Sequence, residues 1–232
     1  MTVLISGCRN QNGIRGYWAD KSLDYDDFDA AEEQFLQFAE LAVQAPKADA
    51  YDAIDRLLKK ASKDTVTYLV YANFIQNAFG LLASPCHSCD LLLHAADNAF
   101  SNGLLTQYAT ENYQVLVNFC RYNQVGQPAQ IPQLFNGDGM AFDLPLVQRT
   151  LLLVVDQNCP SCRGAMQQFM TPEWSDTWLV ALCYGKGPLP VQPGWDCYKI
   201  PQDQTILDTR QAPYFFVTAA DGTIEQSYEQ IH

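Results

Sequence analysis

The sequence predicts two domains, an α-helical bundle followed by an α/β domain in which a buried strand leads directly into a helix. Hydrophobic residues recur with a helical period through residues 29–123. Five consecutive aliphatic residues at 151–155 are typical of a strand that is buried on both faces. A Gly- and Pro-containing segment between the two patterns indicates a linker. We therefore place a tether at residues 1–16, the helical domain at 17–124 and the α/β domain at 125–232.

Composition limits the classes of function. The chain has 232 residues, which suits two ordinary domains, and 48% hydrophobic residues, which suffices for packed cores. Its net charge of −12 argues against binding of nucleic acid or of an anionic membrane surface by charge. Eight cysteines are many for a reducing compartment, although such cysteines can also form metal sites or catalytic pairs.

Five helices are expected in the first half of the chain. A third helix should run from Thr65 to Phe79 and end at Gly80, and a fourth should begin near Cys89 and end before Gly103. The apolar stripes of the other three helices are Phe35, Phe38 and Ala42; Tyr51, Ile54, Leu57 and Leu58; and Tyr113, Leu116, Val117 and Cys120. Ahead of them, Tyr17 and Trp18 are expected to anchor an N-terminal lead on the helices. No catalytic constellation is evident in this half.

The chemistry of the second half begins where the strand Thr150–Val155 ends. Loop-forming residues follow it, and then Cys159-Pro160-Ser161-Cys162 opens a predicted helix. Pro160 suits the first helical position, where the missing N–H would be unbonded anyway. A thiolate at such a helix start is stabilised by unpaired backbone N–H groups and by the helix dipole. The pattern therefore predicts a thiol that exchanges disulfides near neutral pH.

Pro213 directly precedes a predicted aromatic strand at residues 214–218 and follows Ala212. A proline at this position is unusual unless it has a specific structural or functional role. Together with Cys-Pro-Ser-Cys after a hydrophobic strand, it resembles the thioredoxin-fold thiol–disulfide oxidoreductases. The resemblance implies a cis peptide bond at Pro213, packed beside the cysteines, and no cofactor. It also implies Cys159 as the attacking thiolate, Cys162 as the resolving thiol, and substrate contacts from Ala212, Pro160 and Ser161.

Further features resemble the membrane-tethered thioredoxin-like reductases of the bacterial envelope. A β-hairpin is predicted over residues 131–143, ahead of the catalytic strand. The helix before Pro213 is expected to be reduced, and the last helix of the fold to be short or missing. The first half resembles the helical domain of unassigned role in some envelope lipoproteins, through Tyr17-Trp18, the acidic and aromatic residues after it, and Ser84-Pro85.

Leu4-Ile5-Ser6-Gly7-Cys8 resembles the end of a bacterial lipoprotein signal, in which small residues precede an acylated cysteine. This resemblance implies lipidation of Cys8 and a location in the cell envelope or periplasm. The alternative is a frayed N-terminus with one ordinary thiol.

Cys86-His87-Ser88-Cys89 is a second Cys-x-x-Cys, near a helix start. It could be a second redox pair that relays electrons to Cys159, or a zinc site that uses His87 or His94 as a further ligand. The favoured interpretation is two partly buried thiols or a local disulfide without turnover, because the strand before and the proline after are lacking. No metal site is therefore expected.

Thioredoxins often bury an acidic residue six positions before the first cysteine, but Leu153 occupies that position here. Asp156 is closer to the cysteine pair and is a candidate for proton transfer. The pattern predicts an enzyme that acts on protein or peptide thiols and disulfides and is recharged by a membrane or periplasmic electron donor. The lack of a histidine between the cysteines favours a reductase or isomerase. The alternative is a non-catalytic envelope scaffold with a structural thioredoxin-like domain.

Overall fold

The computed structural model describes residues 13–23 and 25–230, which form two compact units. Of the described residues, one unit holds those up to 80 together with 84–110, and the other holds 81–83 together with 111–230. The division therefore falls inside a helix, about one turn after its start, rather than in the Gly- and Pro-containing linker. Within the described residues, no helix is long and apolar enough to cross a membrane.

The first unit is helical, as predicted. Its elements are α1 Phe28–Gln44, α2 Lys47–Ala61, α3 Thr65–Ile75 and α4 Cys89–Ser101, and α5 Gln107–Arg121 begins in it. The start of α1 is capped by Asp27, whose carboxylate accepts the Ala30 N–H at 3.1 Å, and the start of α3 by Asp64, which accepts the Thr67 N–H at 2.8 Å. The predicted stop at Gly80 is confirmed, because α3 continues as a π-helical turn, Gln76–Gly80, that ends there.

The aromatic lead is anchored on these helices. Trp18 is only 2% exposed, and its ring centroid lies 5.1 Å from that of Phe38 and 5.8 Å from that of Tyr71. Such tilted and edge-on contacts stabilise aromatic clusters beyond the area they bury. The lead therefore extends the core of the helical unit.

The second unit is built on one mixed sheet. Its elements are β1 Leu134–Phe135, β2 Ala141–Phe142, β3 Thr150–Asp156, α6 Pro160–Gln168, β4 Trp178–Tyr184, β5 Asp196–Lys199, β6 Tyr214–Thr218 and β7 Ile224–Gln230, with 3₁₀ turns at Pro172–Trp174 and Thr209–Gln211. The strand order is β2-β1-β5-β4-β3-β6-β7. The β3–β4 and β4–β5 pairs are parallel and the others antiparallel. The β3 strand therefore lies inside the sheet, with β4 on one side and β6 on the other.

The predicted hairpin ahead of β3 is present as β1 and β2. The side-chain oxygen of Asn136, Oδ1, accepts hydrogen bonds from the backbone N–H groups of Asp138 at 3.0 Å and of Met140 at 2.9 Å. These two bonds close the turn. Between β4 and β6 the chain, described throughout, contains no α-helix, as expected from the Pro- and Gly-rich sequence. The last described element is β7; residues 231–232 lie outside the described part of the chain.

The two faces of the sheet are covered by different helices. Leu153, Val155 and Ala181 face α6, where they pack against Met166 and Phe169. On the other face, α5 supplies Phe119, whose ring stacks on Tyr228 at 3.9 Å between centroids and meets the edge of Tyr214 at 5.5 Å. The C-terminal part of α5 is thus a layer of the sheet unit, although its sequence pattern had suggested a bundle helix.

Asn123 fastens the end of α5 to the sheet. Its φ of 55° lies in the left-handed region, which asparagine tolerates better than most residues, and its side chain is fully buried. Its amide donates to the Gln130 carbonyl and to the Tyr228 hydroxyl, both at 3.0 Å, and accepts the Gln130 N–H at 2.6 Å. One side chain therefore connects α5, the segment before β1, and β7.

Candidate functional site

The first cysteine of the Cys-Pro-Ser-Cys sequence is the N-cap residue of α6. Cys159 has an extended backbone, its side chain is half-buried, and Pro160 follows at the start of the helix. The Cys159 N–H donates to the Asp156 carbonyl at 3.2 Å, which ties the cysteine to the end of β3. The structure thus places Cys159 at the junction of a central strand and a helix N-terminus, as the sequence predicts, where positive partial charge accumulates.

The second cysteine lies one turn into α6 and is shielded from solvent. Cys162 is 2% exposed and belongs to the core cluster beneath the helix. Burial raises the pKa of the Cys162 thiol to about 12, with a further increase from its hydrogen bond to Cys159. Cys162 is therefore a protonated donor to the Cys159 sulfur at neutral pH, which stabilises negative charge on that sulfur. Neither of the two cysteines is in a disulfide.

Asp156 ends β3 beside the two thiols. One carboxylate oxygen accepts the Asn158 N–H at 2.8 Å, which shapes the loop that carries Cys159. Burial, as the largest cause, and then the negative charge of Asp156 raise the pKa of the Tyr184 hydroxyl to about 12. Tyr184 is paired with Asp156 across the β3–β4 ladder. The site therefore holds one carboxylate and one neutral phenol near the cysteine pair.

Gly185 permits the loop after β4 to pass close to this site. Its φ is +104°, and a Cβ built on it would lie 3.2 Å from both the Asn158 Nδ2 and the Asp156 Oδ1. A larger residue would need a backbone conformation that L-residues rarely adopt and would press on the loop before Cys159. Glycine at this position is thus required by both the turn and the close approach.

The Ala212–Pro213 peptide bond is cis. Because Tyr214 pairs with Val154 in the antiparallel β3–β6 ladder, Pro213 lies opposite Val155, near the end of β3 from which Cys159 follows. Ala212 and Pro213 are both half-buried. The register therefore brings the proline to the same end of the sheet as the cysteine pair.

A buried carboxylate supports the turn before this proline. Asp208 is 1% exposed and accepts hydrogen bonds from Arg210 at 2.7 and 2.9 Å and from the Gln211 amide at 3.1 Å. Gln211 in turn accepts the Leu82 N–H at 2.5 Å. The sequence did not indicate this network; the available signal was Asp208 itself, a residue type that often caps the start of a helical turn.

A second pair of thiols lies on the same face of the sheet as Cys162. Cys183 in β4 is fully buried, and Cys197 in β5 is half-buried on the diagonal position of the neighbouring strand. The Cys183 thiol donates to the Ala181 carbonyl at 3.7 Å, and its interaction with the neighbouring Cys197 sulfur lowers the pKa of Cys197 and raises that of Cys183. Cys183 is thus a core thiol, and the sequence carries no local signal of its proximity to Cys197.

Cys86 and Cys89 do not form a pair with each other. Cys86 is a buried free thiol, whereas Cys89 is disulfide-bonded, and so is Cys120, which the sequence had suggested to be a core thiol. A redox couple of Cys86 with Cys89 is thus not supported, because one of its sulfurs is committed elsewhere. The same bond removes Cys89 as a zinc ligand.

The histidines near this motif also lack a metal-binding arrangement. His94 stacks on Tyr51 with ring centroids 3.8 Å apart and contacts the Asp55 carboxylate at 3.0 Å. No group of three or more His, Cys, Asp or Glu side chains suited to a metal occurs in the described parts of the chain. Cys8, the predicted lipidation site, lies outside the described residues.

Comparisons with known proteins bear on the fold. A crystallised thioredoxin-like protein from Bacteroides caccae superposes with a TM-score of 0.68 over 98% of this chain and 92% of its own, at 11% sequence identity. The chain has a thioredoxin-like fold. The identity is too low to transfer an activity.

A second structure, the thioredoxin domain of a thiol-disulfide oxidoreductase from Bacteroides vulgatus, matches 47% of this chain and 90% of its own at 11% identity, with a TM-score of 0.35. That score is too low to add to the argument. No protein-family model and no curated protein matches the sequence.

Proposed function

We propose that this protein is a thiol–disulfide oxidoreductase of the bacterial cell envelope that exchanges disulfides with protein or peptide substrates through Cys159 and Cys162. The observation that carries the proposal is the unequal pair at the start of α6. Cys159 is half-buried at the helix N-cap, and Cys162 is buried, protonated and hydrogen-bonded to it. An accessible nucleophile beside a shielded resolving thiol is the arrangement that disulfide exchange requires.

The reaction follows from these positions. The Cys159 thiolate attacks one sulfur of a substrate disulfide, a Cys159–substrate bond forms, and the substrate's other sulfur leaves as a thiolate. Cys162 then loses its proton and attacks the Cys159 sulfur, which releases the second substrate thiol. The product is a Cys159–Cys162 disulfide and a reduced substrate. A dithiol electron donor at the membrane or in the periplasm restores the two thiols.

The second step needs a proton acceptor, because burial holds the proton on Cys162. We assign this role to Asp156, the carboxylate whose charge acts on both Cys162 and Tyr184. Ala212 and the cis Pro213 lie at the same end of the sheet and offer backbone to an extended substrate, together with Pro160 and Ser161. The residues between the cysteines include no histidine, which favours reduction or isomerisation over strong oxidation.

The envelope location is supported by the oxidised cysteines. Cys89 and Cys120 are disulfide-bonded, and such bonds persist in the periplasm but are rare in a reducing cytosol. Lipidation of Cys8 would tether the protein to a membrane, as its resemblance to a lipoprotein signal implies.

The test is substrate trapping. Cys162→Ser should accumulate a covalent complex between Cys159 and substrate proteins in the periplasm, because the resolving thiol is lost. Cys159→Ser should abolish both trapping and disulfide reduction. Cys86→Ser, which changes a buried free thiol of the helical unit, is the matched control and should retain reduction. Absence of both trapping by Cys162→Ser and reduction by wild type would favour the scaffold alternative.

A further inference from the structure

A cleft lies beside the cysteine pair, on the opposite side of β3 from Pro213. It has a volume of about 300 Å³ and is formed by Gln157 and Asn158, the two residues before Cys159, by Met166 of α6, and by the loop 187–192 after β4. Because β4 and β6 flank β3, the loop after β4 and the proline before β6 border the cysteine pair on different sides. A substrate bound at Cys159 can therefore contact two separate surfaces.

The residues that line the cleft carry no charge. Leu189 packs against the core beneath α6, and Val191 at the rim is 97% exposed. Pro188 and Pro190 lack a backbone N–H, so the loop offers few donors to a ligand. The volume is at the low end for ligand pockets, which suits a side chain and its peptide group better than a large cofactor.

Gln157 is one of three polar side chains that line this uncharged cleft, together with Asn158 and Gln192. Its amide nitrogen and oxygen are both shielded from solvent and have no hydrogen-bond partner among the described residues. The amide lies beneath Gly187, since a Cβ built on that glycine would be 3.5 Å from the Gln157 Oε1. A buried amide without partners destabilises the folded protein, so its presence needs an explanation.

We propose that the cleft binds the segment of the substrate polypeptide that flanks the cysteine attacked by Cys159, and that it selects an apolar side chain in that segment. This inference rests on the proposed function. A polypeptide joined to Cys159 must continue past Asn158, where the cleft begins. Its peptide group carries one donor and one acceptor, which complement the oxygen and nitrogen of Gln157 once the substrate displaces the loop at Gly187 that shields them. An apolar side chain then fills the uncharged space between Met166, Leu189 and Val191.

The test compares chromogenic disulfides. Two short peptides each carry one cysteine in a disulfide with thionitrobenzoate, flanked by leucine in one peptide and by aspartate in the other; an ethyl disulfide of the same chromophore is the reference. Attack by Cys159 on the peptide or ethyl sulfur expels coloured thionitrobenzoate. We expect the second-order rate constant of this release by the reduced protein in a single turnover, which corresponds to kcat/KM for the attack step, to be about tenfold higher for the leucine peptide than for the aspartate peptide.

Variants then locate the preference. Val191→Asp and Gln157→Leu should each lower kcat/KM for the leucine peptide about fivefold to tenfold more than for the ethyl disulfide. Val147→Asp is the matched control, because Val147 is 75% exposed and precedes the opposite end of β3. It should leave all three rates unchanged. Val191→Asp alters an exposed side chain, so its result does not depend on whether Gln157→Leu folds.

The outcomes separate the two proposals. If wild type consumes the ethyl disulfide but treats both peptides alike, or if the variants lower all rates equally, the cleft does not select substrate and the proposed function stands. If wild type consumes none of the three compounds, the proposed function and the cleft assignment both fail.

Discussion

Cys162 should resist alkylation far more strongly than an ordinary cysteine. Only the thiolate reacts, and a pKa of about 12 leaves about one ten-thousandth of Cys162 ionised at pH 8. A thiol at the unperturbed value of 9.0 is about one-tenth ionised at that pH. The ionisation difference alone therefore predicts labelling that is slower by a factor of about one thousand.

The assay is pulsed labelling of the reduced protein with iodoacetamide, followed by mass spectrometry of the peptide that contains both cysteines. The rate at Cys162 should rise about tenfold per pH unit from pH 8 upward. Cys159→Ser removes the sulfur that accepts the hydrogen bond, so the rate should increase. It should stay below that of the protein in urea, because burial is the largest cause of the raised pKa. Labelling at pH 8 as fast as in urea would refute the buried, protonated state.

The same pKa predicts a pH-dependent stability. Between about pH 9 and 12 the folded protein retains a proton on Cys162 that the unfolded chain releases, so the free energy of unfolding decreases as the pH rises. The contribution is fully present below pH 9. Relative to that of Cys162→Ala, the free energy of unfolding of the wild type should decrease by at most about 1.4 kcal/mol per pH unit in this window, as measured by urea denaturation. Parallel pH profiles for the two proteins would contradict the assignment.

Two further substitutions test the supports of the site. Gly185→Ala should lower the free energy of unfolding by about 1–3 kcal/mol and slow disulfide reduction, because the new Cβ meets Asn158 and Asp156 at positive φ. Gly137 has open space around it and no positive φ, so Gly137→Ala should change the free energy of unfolding by less than about 0.5 kcal/mol. Equal effects of the two glycine substitutions would disprove the close approach of Gly185 to Asn158 and Asp156. Asn123→Ala should cost about 2–4 kcal/mol in urea denaturation, since it leaves Gln130 and Tyr228 without buried partners; a loss below about 1 kcal/mol would argue against the connection between α5 and β7.

The sequence was informative wherever structure is set by neighbours along the chain. The aliphatic run of β3, the cysteine and proline that begin α6, and the glycine that ends the helix after α3 are local signals with local causes. The β-hairpin before β3 was likewise evident from its turn residues. These elements needed no knowledge of what packs against them.

Pairings between distant residues were not accessible in this way. Cys183 and Cys197 meet because β4 and β5 are parallel and in a particular register, which the intervening loop does not encode. The shape of the cleft at Gln157 likewise depends on the path of the loop after β4.

By itself, then, the sequence determined the order of helices and strands and the position of a cysteine pair at a helix start. Only the tertiary structure decided that α5 covers the sheet through Phe119, that Cys86 and Cys89 are not partners, and that Cys162 is shielded while Cys159 is not. The physical reason is that periodicity and turn chemistry act over a few residues, whereas burial and sulfur pairing depend on which distant surfaces meet.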